Sequence, residues 1–230
     1  CTDASPGHFA TTGSTQQTAC AKGSYTNETK QGECTPCSGG TYQDAEAQTG
    51  CKPCDKGSYC APAASAPLPC EAGSYTDKTN LTEASECTQC PAGRYQPERG
   101  QSSCISCATG GYCDSAETCG GGFTPCRAGT YNDQQGSSSP EDCQPCPVGT
   151  FSPTTKANSN ETCSGCRAGT FANETGQSEC TDCPAGSFSN SGSHSCDECN
   201  VGYYAANPGQ GLCIPCPHPL SSANGSTTCS

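Results

Sequence analysis

One short motif recurs along the whole chain: a cysteine, followed three residues later by glycine and five residues later by an aromatic residue. Twelve copies carry the glycine and the aromatic, and in eleven of them the cysteine, here termed the opener, is present. The openers are Cys20, Cys37, Cys54, Cys70, Cys90, Cys107, Cys126, Cys146, Cys166, Cys183 and Cys199. Ala4 stands at this place in the first copy, and Cys216 opens a last copy with Pro219 in place of the glycine. Such self-similarity indicates a tandem repeat architecture, and each repeat is named below by its opener.

Most repeats end at a second cysteine, the closer, which precedes the next opener as Cys-x-x-Cys. The segment between the aromatic and the closer is rich in Ser, Thr, Asn, Gln and Gly, which is typical of a loop. No helical periodicity is present, so we expect short strand pairs and turns.

The aliphatic content is too low for a conventional hydrophobic core. Leu, Ile, Val and Phe number 13 among 230 residues, whereas cysteine numbers 26. Ordering a chain costs about 1.5 kcal/mol of conformational free energy per residue, and burial of one apolar side chain stabilises the fold by only about 2 kcal/mol. Disulfides must therefore provide most of the stability of the fold. We predict a small disulfide-rich fold without a large hydrophobic core: a linear, rod-like array of about twelve repeats of 16 to 20 residues. Doubly wound sheets, barrel enzymes and helical bundles are excluded.

The array is predicted to occupy residues 1–230 as a single domain. Its units begin near residues 4, 20, 37, 54, 70, 90, 107, 126, 146, 166, 183, 199 and 216.

Comparison of the repeats with one another indicates which cysteines pair. In the first repeat the opener is replaced by Ala4 and the closer by Gln17, so the two cysteines are missing together, as expected if they bond to each other. The Cys54 repeat has Pro67 at the closer position and gains Cys60, which predicts a Cys54–Cys60 bridge. The other predicted bridges are Cys20–Cys34, Cys37–Cys51, Cys70–Cys87, Cys90–Cys104, Cys126–Cys143, Cys146–Cys163, Cys166–Cys180, Cys183–Cys196, Cys199–Cys213 and Cys216–Cys229.

Four cysteines remain unassigned. The Cys107 repeat has Phe123 at the closer position and gains Cys113 and Cys119, so one of these three cysteines lacks a partner. Cys1 stands where a preceding repeat would close. We expect its partner outside this sequence or on another chain, because a bond back to the 107–119 segment would bend the array in half.

Cys-x-x-Cys is also the spacing of zinc ribbons and of thioredoxin-like redox motifs. Here, however, the first cysteine ends one repeat and the second begins the next, and repeats with a single cysteine cannot supply four ligands. A redox role needs one reactive pair on a βαβ scaffold. We therefore expect structural disulfides formed in an oxidising compartment, with no metal and no cofactor.

Charge and motifs exclude several function classes. Acidic residues outnumber basic ones 22 to 10, which argues against binding to nucleic acid or to anionic membranes. No apolar run is long enough for direct membrane insertion. His8, His194 and His218 are interpreted as surface-loop residues, and no signature of a phosphate loop, nucleophile elbow, metalloprotease or calcium loop occurs, so we expect no enzymatic activity.

N-glycosylation sequons occur at Asn27, Asn80, Asn160, Asn173 and Asn224. All five lie in the polar segment between the aromatic and the closing position, where a glycan would project from the array. Together with the disulfides they favour a secreted glycoprotein at the cell surface or on a surface appendage.

The sequences Cys90–Tyr95 and Cys183–Phe188 both read Cys-Pro-Ala-Gly-[Ser/Arg]-[Phe/Tyr], followed by a polar loop and Cys-x-x-Cys. This unit resembles the ephrin-receptor-like cysteine-rich repeat, and it is similar to the first module of tumour-necrosis-factor-receptor cysteine-rich domains. The resemblance covers nearly the whole chain. It implies an extracellular disulfide-rich fold, as in surface antigens of protists and in algal and protist fibres such as mastigonemes.

Two functions follow as expectations. The first is a structural extracellular glycoprotein, a disulfide-stapled rod that assembles with copies of itself, head to tail or laterally, into a fibre, filament or coat. The alternative is the stalk or ligand-binding ectodomain of a receptor or adhesin, which should carry one repeat with an unusual exposed apolar or charged patch. Only segments 54–69 and 107–125 are irregular, and neither is rich in such anchors.

Both ends of the sequence are in phase with the repeat. Cys1 stands at a closer position and Cys229 closes a repeat one residue before Ser230. We therefore expect a processed product or an excised part whose array continues, either in the same polypeptide or through head-to-tail contact with another copy.

Overall fold

The computed structural model of the chain describes residues 3–114 and 122–230. The chain divides into two compact units, Cys1–Ser106 with Asp114–Gly122 and Cys107–Cys113 with Phe123–Ser230. Both are built from one element, an antiparallel hairpin with two strands of two residues each. The prediction of a small disulfide-rich fold of short strand pairs and turns is therefore confirmed.

The strands occupy fixed places in the motif. The first consists of the aromatic residue and the residue before it, and the second consists of the two residues between the closer and the next opener. Tyr25 thus pairs with Thr35, and Ser24 pairs with Pro36. The Cys-x-x-Cys spacing is therefore the length of the second strand.

The hairpins are His8–Phe9 with Thr18–Ala19, Ser24–Tyr25 with Thr35–Pro36, Thr41–Tyr42 with Lys52–Pro53, Ser58–Tyr59 with Leu68–Pro69, Ser74–Tyr75 with Thr88–Gln89, Arg94–Tyr95 with Ile105–Ser106, Gly111–Tyr112 with Thr124–Pro125, Thr130–Tyr131 with Gln144–Pro145, Thr150–Phe151 with Ser164–Gly165, Thr170–Phe171 with Thr181–Asp182, Ser187–Phe188 with Asp197–Glu198 and Tyr203–Tyr204 with Ile214–Pro215.

Three short 3-10 helices, Ala84–Glu86, Pro140–Asp142 and Asn160–Thr162, lie directly before closers. They occur in the repeats whose opener and closer are 17 residues apart, whereas 13 or 14 residues separate these cysteines in the other repeats with a closer. The extra residues are thus taken up as one helical turn. At two of the helices a serine hydroxyl, from Ser139 or Ser159, accepts a hydrogen bond from the backbone near the N-terminus.

The buried residues lie around the cysteines. The openers are almost fully buried, and so is the residue directly after the aromatic in eleven of the twelve copies, for example Thr26, Gln43, Asn132 and Ser152. The motif aromatic residues are only half-buried. No helix among the described residues is long and apolar enough to cross a membrane.

Candidate functional site

Disulfides close the repeats. The eleven bridges predicted from the sequence are all present, with Cα–Cα distances of 5.6–6.0 Å. Cys107 pairs with Cys113, which resolves part of the remainder left open by the sequence. Cys1 and Cys119 lie outside the described residues. Every cysteine in residues 3–114 and 122–230 is in a bridge.

The two repeats without a closer use a different partner position. Cys60 and Cys113 directly follow the aromatic residue, at the position that is buried in nine other repeats. Each bonds to an opener six residues earlier in the chain. The buried position after the aromatic therefore lies within reach of the opener sulfur.

The first repeat replaces its bridge with a polar clasp. Ala4 occupies the opener position and is buried. Gln17 occupies the closer position, and its Oε1 accepts hydrogen bonds from the Ser5 backbone N–H at 2.9 Å and from the Ser5 hydroxyl at 3.1 Å. A glutamine side chain thus spans the gap that a disulfide spans elsewhere.

Backbone hydrogen bonds join consecutive repeats within each unit. The motif glycine donates its N–H to the carbonyl of the residue after the next repeat's aromatic, as from Gly23 to Gln43 at 2.8 Å. The opener carbonyl accepts from a loop residue of the next repeat, as Cys20 does from Ala47 at 2.9 Å. At most junctions the residue after the aromatic also donates to that loop, as Thr26 does to Gln48 at 3.2 Å. Because these contacts use main-chain atoms, residues with different side chains make them in the loop and after the aromatic.

The loop residues that meet the openers share a left-handed backbone. They are Lys30, Ala47, Ala63, Asn80, Gly100, Gly136, Lys156, Gly176, Gly192, Gly209 and Gly225, with φ between +58° and +77°. Asparagine and glycine adopt this conformation readily, whereas alanine and lysine do so at a cost. The sequence does not reveal the position, because four residue types fill it.

Nine of these loops also contact the repeat two places earlier in the chain. A Cβ built on Gly40 would lie under 3.0 Å from the carbonyl oxygen of Asn80, and one on Gly129 would meet Gly176 in the same way. The same approach occurs at Gly7, Gly23, Gly57, Gly110, Gly149, Gly169 and Gly186. Contacts within a unit therefore extend beyond the nearest neighbour.

The predicted glycosylation positions Asn27, Asn80, Asn160, Asn173 and Asn224 are all exposed. Asn80 also serves as a left-handed loop residue, with a φ of +63°, and its backbone N–H binds Cys54. Its side chain is still free to project into solvent.

Ion pairs are few and exposed. Lys52 donates to Asp44 at 2.7 Å, and this hydrogen bond holds the pKa of the Asp44 carboxyl below its ordinary value of 3.8 and raises the pKa of Lys52. The Thr82 hydroxyl and backbone N–H likewise lower the pKa of the Glu86 carboxyl. Arg99 reaches Glu71 of the preceding repeat at 2.9 Å.

The histidines are dispersed. His8 lies 3.4 Å from the Ser5 hydroxyl, and His194 and His218 are exposed. Within residues 3–114 and 122–230 no group of three His, Cys, Asp or Glu side chains converges as a metal site would require.

Two open grooves of about 560 and 390 Å³ recur at equivalent places in the second unit. The larger contains Tyr112 and Arg127, and the smaller contains Phe151 and Arg167. Arg167 is paired with Asp182 at 3.6 Å. Both grooves follow from the repeat, with an aromatic from one hairpin beside the Cys-Arg-Ala-Gly-Thr turn of the next.

The last two repeats carry a surface that the sequence analysis missed. Residues 199–230 contain no Asp, Glu, Lys or Arg. The exposed apolar side chains here, termed the terminal apolar surface, are Val201, Tyr203, Leu212, Ile214 and Leu220. Val201 and Leu212 are the most exposed, at 64% and 66%. The absence of charge over this stretch was the sequence signal that could have revealed it.

Nothing covers the motif glycine of the Cys199 repeat. No atom lies within 4 Å of a Cβ built on Gly202, although its φ is +81° as in the other repeats. Pro219 stands at the corresponding place in the Cys216 repeat and has no N–H to give to a further repeat. The Gly202 N–H still donates to the Ser222 carbonyl at 3.2 Å, and the Cys199 carbonyl accepts from Gly225 at 2.8 Å, as at the junctions described above.

A family model described as tyrosine-protein kinase ephrin type A/B receptor-like matches residues 79–120, 154–187 and 186–230. These segments together cover just over half of the chain. None of the curated proteins compared with the chain matches it.

Proposed function

Because the chain belongs to the ephrin type A/B receptor-like family of cysteine-rich repeats, we propose that it is a structural glycoprotein, a disulfide-stapled rod that forms part of a fibre, filament or surface coat. The family and the many disulfides suggest an extracellular protein. Copies of the chain and its attached glycans would be its partners.

The observation that carries the proposal is the main-chain junction between repeats. Recognition concentrates affinity in a few specific side chains, whereas a structural array needs contacts that every repeat can supply. Here glycine, opener and loop residue bind through N–H and C=O groups, as Gly129 does to Ser152 at 2.8 Å. Exposed sequons on the loops support a glycosylated outer surface.

Negative-stain microscopy of native material tests this function. Ordered filaments or a regular coat containing the chain are expected. Dispersed particles of single chains, in material that is correctly disulfide-bonded, would reject the structural role. Peptide mapping with and without a glycosidase measures whether the five sequons carry glycans.

A second function has an observation of its own. The terminal apolar surface is the kind of anchor that a ligand-binding ectodomain requires. If the chain is the stalk or ectodomain of a receptor or adhesin, dispersed particles with a bound partner at residues 199–230 are expected. No enzymatic activity is proposed.

A further inference from the structure

The larger groove of the second unit carries an N-glycosylation sequon on its wall. Thr175, the threonine of the sequon Asn173-Glu174-Thr175, lines this groove together with Tyr112 and Arg127. It is termed the sequon groove, and the smaller groove with Phe151 and Arg167 is termed the second groove. Asn173 is exposed, and Cα atoms two residues apart are separated by at most about 7 Å. A glycan on Asn173 would therefore begin beside the sequon groove.

Main-chain contacts hold the sequon loop against the turn that lines the groove. Gly176, directly after the sequon, donates its N–H to the Cys146 carbonyl at 2.8 Å. The Gly176 carbonyl occupies the space where a Cβ of Gly129 would lie, and Gly129 belongs to the same turn as Arg127. A Cβ built on Gly176 would also lie 3.3 Å from the Cβ of Pro145, another residue of the groove. This packing fixes where the sequon lies relative to the groove.

The lining of the sequon groove suits the first sugars of an N-linked glycan. Its volume of about 560 Å³ is in the range of small-molecule sites. Three prolines line it with Tyr112: Pro125, Pro140 and Pro145. The C–H face of a pyranose ring packs on aromatic and proline surface because both are apolar. Arg127 and Glu141 supply a hydrogen-bond donor and an acceptor for hydroxyl and acetamido groups. These sugars are uncharged, so the net charge of −12 does not repel them as it would an acidic ligand.

We propose that the sequon groove binds the first sugars of a glycan carried by Asn173. Cys126 and Cys143 both line the groove, so a sugar bound there covers their disulfide and shields it from attack by thiols. The proposal rests on the glycosylation that is part of the proposed function, and it assigns a binding site that fibre formation does not require.

The second groove provides a comparison within the same chain. Asp182 stands where Pro145 stands in the sequon groove, so a carboxylate replaces apolar surface. The loop that packs on its turn reads Ala206-Asn207-Pro208-Gly209, where the sequon groove has Asn173-Glu174-Thr175-Gly176. This loop has no sequon. Of these two grooves, the one with a sequon on its wall is thus also the one with the more apolar lining.

Native-state deglycosylation of the 230-residue chain, secreted from a glycosylating host, tests the proposal. Peptide-N-glycosidase is applied to the folded protein, and glycan loss at each sequon is followed by mass spectrometry, with Asn27 as the internal reference. Arg127→Ala and Tyr112→Ser should each speed release at Asn173 by about tenfold, because they remove contacts that hold the sugar. Arg167→Ala in the second groove is the matched control and should leave this rate unchanged. The Arg127 side chain is exposed, so the fold should persist without it, and disulfide mapping checks each variant.

Reduction of single bridges gives a second measurement. In Asn173→Gln, dithiothreitol should reduce Cys126–Cys143 faster than in the glycosylated chain, whereas the rate at Cys166–Cys180, whose Cys180 lines the second groove, should not change. Equal acceleration at both bridges, or at neither, would contradict the assignment.

The outcomes separate this proposal from the proposed function. Release at Asn173 that is unaffected by both groove variants overturns the proposal, and so does an Asn173 that carries no glycan while the other sequons do. In either case the glycosylated rod is retained. If none of the five sequons carries a glycan, the glycosylated surface is rejected together with the proposal.

Discussion

At the residue scale, two separate features of the structure favour glycine at the motif position in most repeats. Its φ near +80° places it in the left-handed region, and the carbonyl of a loop two repeats ahead fills the space where a side chain would begin. Either condition alone disfavours other residues. Together they explain why Gly-x-aromatic is the most regular part of the sequence.

Gly40→Ala should therefore destabilise the repeats around it. The left-handed backbone costs about 1–2 kcal/mol for alanine, and displacing the Asn80 carbonyl adds about 1–3 kcal/mol. Hydrogen exchange at the Asn80 amide, which binds Cys54, is the measurement, and faster exchange is expected. Gly50→Ala in the same repeat is the matched control, because nothing lies within 4 Å of its Cβ position. Equal exchange rates in the two variants would contradict the argument.

The Asp44–Lys52 pair gives a pH effect of known sign. The hydrogen bond from Lys52 lowers the pKa of the Asp44 carboxyl. The contribution of the pair to the free energy of unfolding is therefore present above the ordinary pKa of 3.8 and is lost as the pH falls through the lowered pKa. We expect the Asp44 carboxyl, followed by NMR, to titrate below 3.8 and to return towards it in Lys52→Met. Because both side chains are exposed, high salt should also reduce the shift.

At the element scale, the hairpin and its disulfide act as one interchangeable module. Most of it was predictable from sequence, because repeats in one chain can be compared: the joint loss at Ala4 and Gln17 indicated which cysteines pair. Two features were not predictable. The clasp made by Gln17 depends on the reach of one side chain, and the left-handed loop residue has no constant identity.

Introducing a bridge into the first repeat tests this modularity. Ala4→Cys with Gln17→Cys should form an additional disulfide, since the hairpin His8–Phe9 with Thr18–Ala19 has the same register as the others. Its loop would add about 3 kcal/mol in the chain-entropy model, seen as slower hydrogen exchange in residues 5–19. Ala4→Ser with Gln17→Ser is the control, and it should lower the protection of residues 5–19 against hydrogen exchange. If mass mapping finds the two new cysteines unpaired, the repeats are not equivalent.

At the scale of the whole molecule, order depends on sulfur rather than on a core. Reduction of all bridges with dithiothreitol should abolish the circular dichroism of the hairpins, because 13 Leu, Ile, Val and Phe residues cannot replace them. Tyr42→Ala should cost only about 1–2 kcal/mol, since its ring is half-exposed. A reduced chain that keeps its native spectrum would refute this view.

The terminal apolar surface shows what sequence comparison overlooks at this scale. In the sequence, a repeat is recognised as irregular by extra or missing cysteines, and these occur in segments 54–69 and 107–125. The Cys199 repeat has both of its cysteines in their usual places, so its departure lies in charge and apolar exposure instead. Whether a side chain is exposed depends on which loops pack against it, and these loops belong to the repeat two places further along the chain.

The disulfide loops also determine how the chain would respond to tension. Between Cys20 and Cys104, each full-length loop leaves only two residues outside the ring before the next opener. Such repeats have almost no chain outside the disulfide rings that could lengthen. The covalent rings would therefore bear a force applied to the two ends. The Cys54 repeat is different, because its ring closes at Cys60 and leaves residues 61–69 outside. These nine residues would span roughly 30 Å when fully extended, which makes this repeat an extensible link among the short connections between Cys20 and Cys104.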